Sequence, residues 1–438
     1  MTASSSRRRQ SPRHAFQLPV SLAAFKRRST PAHRQTLPAT PAHRAPPVCA
    51  HPALADFKPL PFRPYLFSNP HFQTIFAHFY PKPPAVHYKR LQLRTADRQS
   101  VLNVDLANGT GFAADCSQHH QTVYQLPPHF DLQTPLPKHW KKPPPVAVVL
   151  HGLESNSTAI VSKRIVAALE QIPFKVFVLN YRSCAKDDAV PSTLRLYHAG
   201  FTEDLETLLK AIRHAAIQAK QQPPDVYLAA FSLGANITCQ FLGTHKQNAL
   251  TQYGVVAAAV ACVPFDPCAC QRKLDSGFNG AVYSARLVST MRNKFQQAVD
   301  NGVSMGAVNP DSIRTANRVG LIDDVFIAPV FGFKDRFDYY HQVDARKVLS
   351  DIHVPTYIIN SQDDPFFDHK CGKSLPTIDH IGSAPVLLNV TRHGGHCGFL
   401  DKSMFTRQTP GYFQNEFARF FTHVRQRLEQ TQHEQQRS

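Results

Sequence analysis

A strand-like run, Asp225-Val-Tyr-Leu-Ala-Ala-Phe231, leads into Ser232-Leu-Gly-Ala-Asn236 and a helical stretch, Leu233 to Leu242. A serine on a tight turn between strand and helix is lifted off the sheet's edge, where its hydroxyl can attack a carbonyl. Small residues two before and two after, Ala230 and Gly234, let the backbone close. The usual pattern has Gly at the first of these places, and Ala is the smallest replacement that carries a Cβ. The plainer alternative is a serine that merely caps a helix. A hydroxyl becomes a useful nucleophile only when a base takes its proton and an acid orients that base. Both residue types recur at later strand ends. Ile358-Ile-Asn-Ser-Gln-Asp-Asp-Pro365 runs into an acidic turn, where either Asp363 or Asp364 can orient an imidazole. Val390-Thr-Arg-His-Gly-Gly-His-Cys-Gly398 ends another strand, and either His393 or His396 can reach the serine on its glycine-rich loop. Serine, acid and histidine at three strand ends, in that order, make an acyl-transfer triad.

Such chemistry also needs donors for the tetrahedral oxyanion. Leu150-His-Gly-Leu-Glu154 follows the first buried strand and has the form of an oxyanion loop. The backbone N–H groups of Leu153 and Leu233 are the expected pair. Gly152 permits the turn, and His151 is read as an anchor of the loop, not as a base.

The elements that must position these residues are legible from Pro145 onward. Short apolar runs, Val146-Ala-Val-Val-Leu150, Lys175-Val-Phe-Val-Leu-Asn180 and Val255-Val-Ala-Ala-Ala-Val-Ala-Cys262, read as strands buried on both faces. Helical patterns over 160–171, 198–219 and 411–428 alternate with them, as do strands at 355–360 and 385–390. Alternation of this kind implies a mostly parallel sheet with helices on both faces. Residues 86–106 read as a strand pair. The stretch 264–348 interrupts the alternation, looks helical, and is expected to form a cap. Its aromatics Phe265, Phe326, Phe331, Phe333, Tyr339 and Tyr340 are candidates for an apolar substrate pocket, with ordinary packing as the alternative. Residues 107–144, rich in proline and histidine, are expected to be a surface insertion.

The chain has 438 residues, a net charge of +18 and 35 prolines. Residues 1–55 hold nine basic and no acidic side chains, leaving 40 basic against 31 acidic in the rest. A tail of that composition buries too little apolar surface to offset its ordering entropy and is expected to be disordered. It lacks the interleaved aromatics of a base-stacking surface, so no nucleic-acid partner is expected. The nine cysteines are scattered; the nearest cluster, Cys262, Cys268 and Cys270, lacks zinc-ligand spacing, so no metal is expected. Thiols without a disulfide framework fit a reducing compartment, and no apolar run is long enough to span a bilayer. A cytoplasmic enzyme is expected, with peripheral membrane contact left open.

The chain resembles the YheT-like α/β-hydrolases, relatives of the animal α/β-hydrolase-domain lipases. The resemblance rests on Ser68-Asn-Pro-His-Phe-Gln-Thr74, Leu150-His-Gly-Leu-Glu154, Asn180-Tyr-Arg-Ser-Cys184, Tyr197-His-Ala-Gly200, Phe231-Ser-Leu-Gly-Ala-Asn236, Val263-Pro-Phe-Asp266, Asp363-Asp-Pro-Phe366 and Arg392-His-Gly-Gly-His-Cys-Gly-Phe399. The matching segments span Pro61 to about Phe421, and the resemblance implies an α/β-hydrolase fold with a helical cap, the hydrolase domain being read as residues 56–438. It also implies Ser232 as nucleophile, Asp364 as the triad acid and His396 as the base. The implied activity is hydrolysis of carboxylic esters, lipid-like or of short-to-medium acyl length, with no cofactor and a small-molecule ester as partner. Acyl transfer to an alcohol by the same triad, and a non-catalytic binding protein, are the competing readings. The oligomeric state is left open.

Overall fold

Five consecutive apolar residues, Val146 to Leu150, have no polar side to turn toward water, so both faces of their strand must be covered. In the computed structural model they form β3 (Val146–Leu150), buried along its whole length. The structure describes residues 51–108 and 144–437, apart from Ala55, Leu66, Pro81, Pro84 and the stretches 186–187, 189–192, 369–373 and 407–409. Residues 1–50 of the basic tail and 109–143 of the insertion lie outside the described residues.

Strands β1 (His87–Arg94), β2 (Val101–Asn108), β3, β4 (Lys175–Asn180), β5 (Val226–Phe231), β6 (Val255–Ala261), β7 (Thr356–Ser361) and β8 (Val386–Thr391) form one sheet. Its eight strands run in the order β1-β2-β4-β3-β5-β6-β7-β8. The β1–β2 and β2–β4 pairs are antiparallel, and every pairing from β4 through β8 is parallel. The predicted strand pair at 86–106 is therefore the antiparallel edge of a mostly parallel sheet.

Because successive side chains of a strand point to opposite faces, the core divides into two layers. Val146, Val148 and Leu150 of β3, with Leu228 and Ala230 of β5, face one layer. There they meet Leu205, Leu208 and Ile212 of helix α3 (Glu203–Gln218) and Ile237 and Phe241 of α4 (Leu233–His245). Ala147 and Val149, with Tyr227, Ala229 and Phe231, face the other. That layer is closed by Val161 and Ile165 of α2 (Ile160–Leu169) and by Phe413, Phe417, Phe420 and Phe421 of the C-terminal helix, Tyr412–Arg437. The aromatic face anticipated for that helix is the one that packs, although the helix runs nine residues beyond residue 428. Phe420 is fully buried, with its ring 5.2 Å from Phe57 and 5.4 Å from Tyr357. Truncating it opens a cavity in a layer that cannot collapse onto the rigid sheet. Phe420→Ala should cost about 3–5 kcal/mol, read as a lower denaturant midpoint, while turnover well below the transition stays near wild type.

Between β6 and β7 the alternation gives way to helices, as expected. They include α5 (Pro267–Leu274), α6 (Ala285–Asp300), α7 (Pro310–Thr315) and α8 (Arg336–Gln342). This cap has its own apolar cluster, with Val288 and Phe295 of α6, Ile313, Ile322, Phe326, Tyr339 and Tyr340. The aromatics considered for a substrate pocket are mainly packing residues. Phe265 is fully buried in the main core, and Tyr340 donates its hydroxyl to Asp323 at 2.5 Å inside the cap. Phe331 and Phe333 pack their rings 4.5 and 5.3 Å from that of His198.

The helix expected from His198 begins instead at Glu203. Two backbone amides of the preceding segment bond to side chains instead. The Ala199 amide donates to the Tyr339 hydroxyl of the cap at 3.0 Å, and that of Gly200 donates to His198 Nδ1 at 3.1 Å. Burial pushes the His198 imidazole down to about 3, so it stays neutral among those rings.

Candidate active site

Ser232 sits at the junction of β5 and α4 with φ 55° and ψ −126°, a backbone conformation that side-chain-bearing residues rarely adopt. The elbow is held on both sides. The Ser232 amide donates to the Ala261 carbonyl at the end of β6, and the Ser232 carbonyl accepts from Ala235 and Asn236. Ser232 makes no side-chain cap bond to the helix, which removes the helix-cap alternative. A Cβ on Gly234 would lie 2.6 Å from the carbonyl oxygens of both Leu150 and His151, so only glycine lets α4 approach the end of β3. Ala230, by contrast, is an ordinary strand residue whose methyl points into the core. The departure from the usual motif therefore falls where a Cβ fits.

The acid and the histidine arrive on the neighbouring strand ends. Asp364 follows β7 and is fully buried. Its Oδ1 accepts the Phe366 amide at 2.9 Å, and its Oδ2 accepts from His396 Nδ1 at 2.8 Å. The other ring nitrogen of His396, Nε2, lies 2.9 Å from Ser232 Oγ. With Nδ1 protonated toward Asp364, Nε2 is left as the acceptor for the serine proton. The Phe366 ring stacks on the imidazole at 4.0 Å and 17° and limits its rotation. Burial is the largest single influence and disfavours a charged His396, but the Asp364 carboxylate and Cys397 beside it together more than offset burial and lift the imidazole above its ordinary value of 6.5.

The residues themselves left two acids and two histidines open, and the structure separates them into two pairs. His393 Nδ1 meets Asp363 Oδ2 at 3.2 Å, away from the serine, and the Gly395 amide donates to Asp363 Oδ1 at 2.9 Å. Asp363 thus ties the loop that carries His396, while Asp364 faces the His396 ring.

A second support for this loop comes from residues that carry no catalytic chemistry of their own. Helix α1 (Pro70–Phe76) lies in the aromatic, proline-punctuated arm. Thr74 Oγ1 accepts the His396 amide at 2.8 Å and donates to the Pro70 carbonyl at 2.7 Å. Gln73 Oε1 accepts the Leu400 amide at 2.7 Å. The only trace of this role in the sequence was the motif Ser68-Asn-Pro-His-Phe-Gln-Thr74, whose function depends on a loop more than 300 residues away.

The loop after β3 brings its backbone to the serine. A Cβ on Gly152 would come within 3.0 Å of Ser232 Cβ and 3.4 Å of its Oγ, so the glycine keeps room beside the nucleophile. His151 is fully buried. Its Nε2 accepts the Tyr181 amide at 3.2 Å, so its proton is on Nδ1, which donates to the Gly152 carbonyl at 2.8 Å. The Ser155 amide donates to the same carbonyl at 3.2 Å. In a planar trans peptide the next N–H points opposite to that carbonyl, so His151 sets the direction of the Leu153 amide. Among the described residues, neither the Leu153 nor the Leu233 amide donates to a protein acceptor. Leu233 N–H also belongs to the N-terminal turn of a 13-residue helix, whose partial positive charge favours an anion.

The motifs Asn180-Tyr-Arg-Ser-Cys184 and Tyr197-His-Ala-Gly200 supply scaffolding. Arg182 grips Asp204 at the start of α3 through Nε and Nη2, at 2.8 to 3.1 Å. Asn180 Oδ1 accepts the Ser157 amide at 2.8 Å. Cys262 does not group with Cys268 and Cys270. It lies at the end of β6, where its Sγ accepts the Cys397 amide at 3.1 Å beneath the His396 loop.

The match to a protein-family model agrees with this architecture. Residues 145–403 match the family model described as alpha/beta hydrolase fold. "Putative esterase YheT" of Escherichia coli (strain K12) is 28% identical over 272 residues, 60% of this chain and 73% of YheT. A monoacylglycerol lipase of Saccharomyces cerevisiae is 28% identical over 272 residues, 59% of this chain but only 56% of the lipase. Phospholipase ABHD3 of Bos taurus is 24% identical over 349 residues, 80% of this chain and 74% of that protein. Among solved structures, the Pyrococcus furiosus esterase Pf2001 superposes over 84% of this chain and 98% of its own, with a TM-score of 0.42 and 12% identity. No helix among the described residues is long and apolar enough to cross a membrane.

Proposed function

The chain belongs to the α/β-hydrolase fold family and is a YheT-like carboxylic ester hydrolase, and we propose that Ser232 is its nucleophile, His396 its general base and Asp364 the acid that orients the base. The observation that carries this reading is the unbroken chain from Ser232 Oγ to His396 Nε2 at 2.9 Å and from His396 Nδ1 to Asp364 Oδ2 at 2.8 Å. In the forward step Ser232 Oγ attacks the ester carbonyl as His396 takes its proton. Asp364 stabilises the resulting imidazolium and keeps its Nδ1–H in place. The negative oxygen of the tetrahedral intermediate is received by the Leu153 and Leu233 amides. His396 then gives its proton to the departing alkoxide, leaving an acyl group on Ser232. Water deprotonated by His396 attacks that acyl group, and the same two amides hold the second intermediate. The substrate class we propose is a lipid-like or short-to-medium acyl ester, supported by relatives described as a monoacylglycerol lipase and a phospholipase.

A fluorophosphonate probe tests the nucleophile directly, because it phosphonylates an activated serine and stays attached. Intact-mass and peptide analysis should show one adduct, on Ser232, and Ser232→Ala should take up none. An adduct on another serine, or none on wild type, would refute the assignment. A p-nitrophenyl ester series from acetate to palmitate then reads acyl preference, with a maximum between the butyrate and dodecanoate esters expected.

A further inference from the structure

The proposed oxyanion loop is held by one group that does not belong to the hydrolase core. Glu154, immediately after Leu153, has φ 56°, and its side chain turns inward toward the cap. Lys294 of cap helix α6 places its ammonium 3.0 Å from Glu154 Oε1, 2.9 Å from Oε2 and 3.0 Å from Cys184 Sγ. The Tyr197 hydroxyl accepts the Glu154 amide at 3.1 Å and donates to Oε1 at 2.9 Å. The Cys184 thiol donates to that hydroxyl at 3.2 Å. The Lys294 and Glu154 side chains are only 15% and 6% exposed. Neighbouring residues of α6, Val288 and Phe295, are anchored in the cap's own apolar cluster, so Lys294 moves with the cap.

We infer that Lys294 is a positioning residue that couples the cap to the oxyanion loop, so that the Leu153 amide is aimed correctly only while the cap is seated. The inference rests on the Leu153 and Leu233 amides forming the oxyanion site, as proposed above. Lys294 touches none of Ser232, His396 or Asp364 and acts through Glu154. A buried carboxylate deprived of its cation must be protonated or turn out toward water. Either change releases a residue held at positive φ, and the backbone that relaxes is the one carrying the neighbouring Leu153 N–H. His151 fixes one side of that amide's peptide and the Glu154 clamp fixes the other. Interactions that improve only in the transition state raise turnover and leave ground-state binding nearly unchanged.

The test compares wild type with Lys294→Met and Lys294→Arg, with concentrations normalised to the fluorophosphonate-reactive fraction so that unfolded protein is not counted. Lys294→Met should lower kcat by about 10- to 100-fold, somewhat less than outright loss of a donor, with KM changed less than about twofold. An aryl trifluoromethyl ketone, which Ser232 converts to a tetrahedral oxyanion, should bind more weakly by a similar factor. Lys294→Arg, which keeps the ion pair, should recover most of both. If Lys294→Met does not fold, Lys294→Gln carries the same comparison, since it removes the charge but keeps a donor. A lower melting temperature or higher KM, with kcat and ketone affinity intact, would make Lys294 a mere strut of the cap and overturn the inference. Failure of the underlying reading looks different: wild type itself would then show no Ser232 adduct and no tight ketone binding.

Discussion

Ser232→Ala should lower kcat by about a millionfold, as loss of the nucleophile does where a triad acts as a unit, while the protein stays folded. The two halves of this result have separate physical origins. Alanine cannot form the acyl intermediate, so all that survives is the acceleration available from binding and the oxyanion donors, about 10³–10⁴-fold over water. Stability changes little because alanine removes the Ser232 Oγ–His396 Nε2 hydrogen bond, worth about 1 kcal/mol, from a site that stays otherwise packed. The backbone at φ 55° remains as strained in alanine as in serine. Ser232→Gly separates the effects further. Glycine adopts positive φ readily, so this variant should be equally inactive yet more stable than Ser232→Ala by about 1 kcal/mol. Circular dichroism melts paired with ester turnover check both halves. Retained turnover in Ser232→Ala would remove Ser232 from the chemistry; equal melting of the alanine and glycine variants would mean that the elbow stores no strain.

How far the sequence carried this picture depends on whether the deciding interaction was local. The parallel strands were legible because burial on both faces leaves a continuous apolar run, as in Val146 to Leu150. The elbow was legible because its constraint lies within five residues, from Ala230 to Gly234. The choice between His393 and His396 was not decidable from the residues alone. Both stand in one glycine-rich loop after one strand, and what distinguishes them is which carboxylate of the Asp363–Asp364 turn each ring meets. The family resemblance pointed to His396 and Asp364, and the observed pairing has that arrangement. The helix read from His198 begins at Glu203, and the Ala199 amide ahead of it meets the Tyr339 hydroxyl from 140 residues away, a partner that no local pattern announces. Cys262 was grouped with Cys268 and Cys270 by nearness in sequence, whereas the sheet brings the end of β6 beside Cys397. Thr74 and Lys294 reach the site across 322 and 140 residues respectively, and composition and spacing hold no record of such partners.

The second large effect lies in the acid. Asp364→Asn should cut the plateau of kcat/KM by about 10⁴-fold and should also move the pH profile in a stated direction. Three influences act on His396. Burial disfavours the imidazolium most, while the Asp364 charge at 2.8 Å from Nδ1 and, to a lesser degree, Cys397 favour it and together prevail, so the imidazole titrates above 6.5. Only the neutral ring can accept the Ser232 proton. Wild-type kcat/KM should therefore rise with pH and be half-maximal above 6.5, with activity lost as pH falls through that midpoint. Replacing the carboxylate by an isosteric amide removes the largest raising influence and leaves burial opposed only by Cys397, so the midpoint of the residual activity should fall below that of wild type. The plateau drops for a different reason. An amide nitrogen turned toward the ring donates to Nδ1, which puts the imidazole proton on Nε2 and leaves Ser232 facing a donor. Asp363→Asn makes the control: it weakens the His393 and Gly395 ties but leaves the His396 partner in place, so its midpoint should stay where wild type has it. His396→Ala should be nearly as damaging as loss of Ser232, whereas His393→Ala should lose no more than about tenfold. A profile that moves with Asp363 instead of Asp364, or activity that survives loss of His396 and not of His393, would transfer the base to the other pair. The direction of the midpoint shift is the sharper observable, because misfolding lowers a rate at every pH but does not move the pH at which an imidazole gives up its proton.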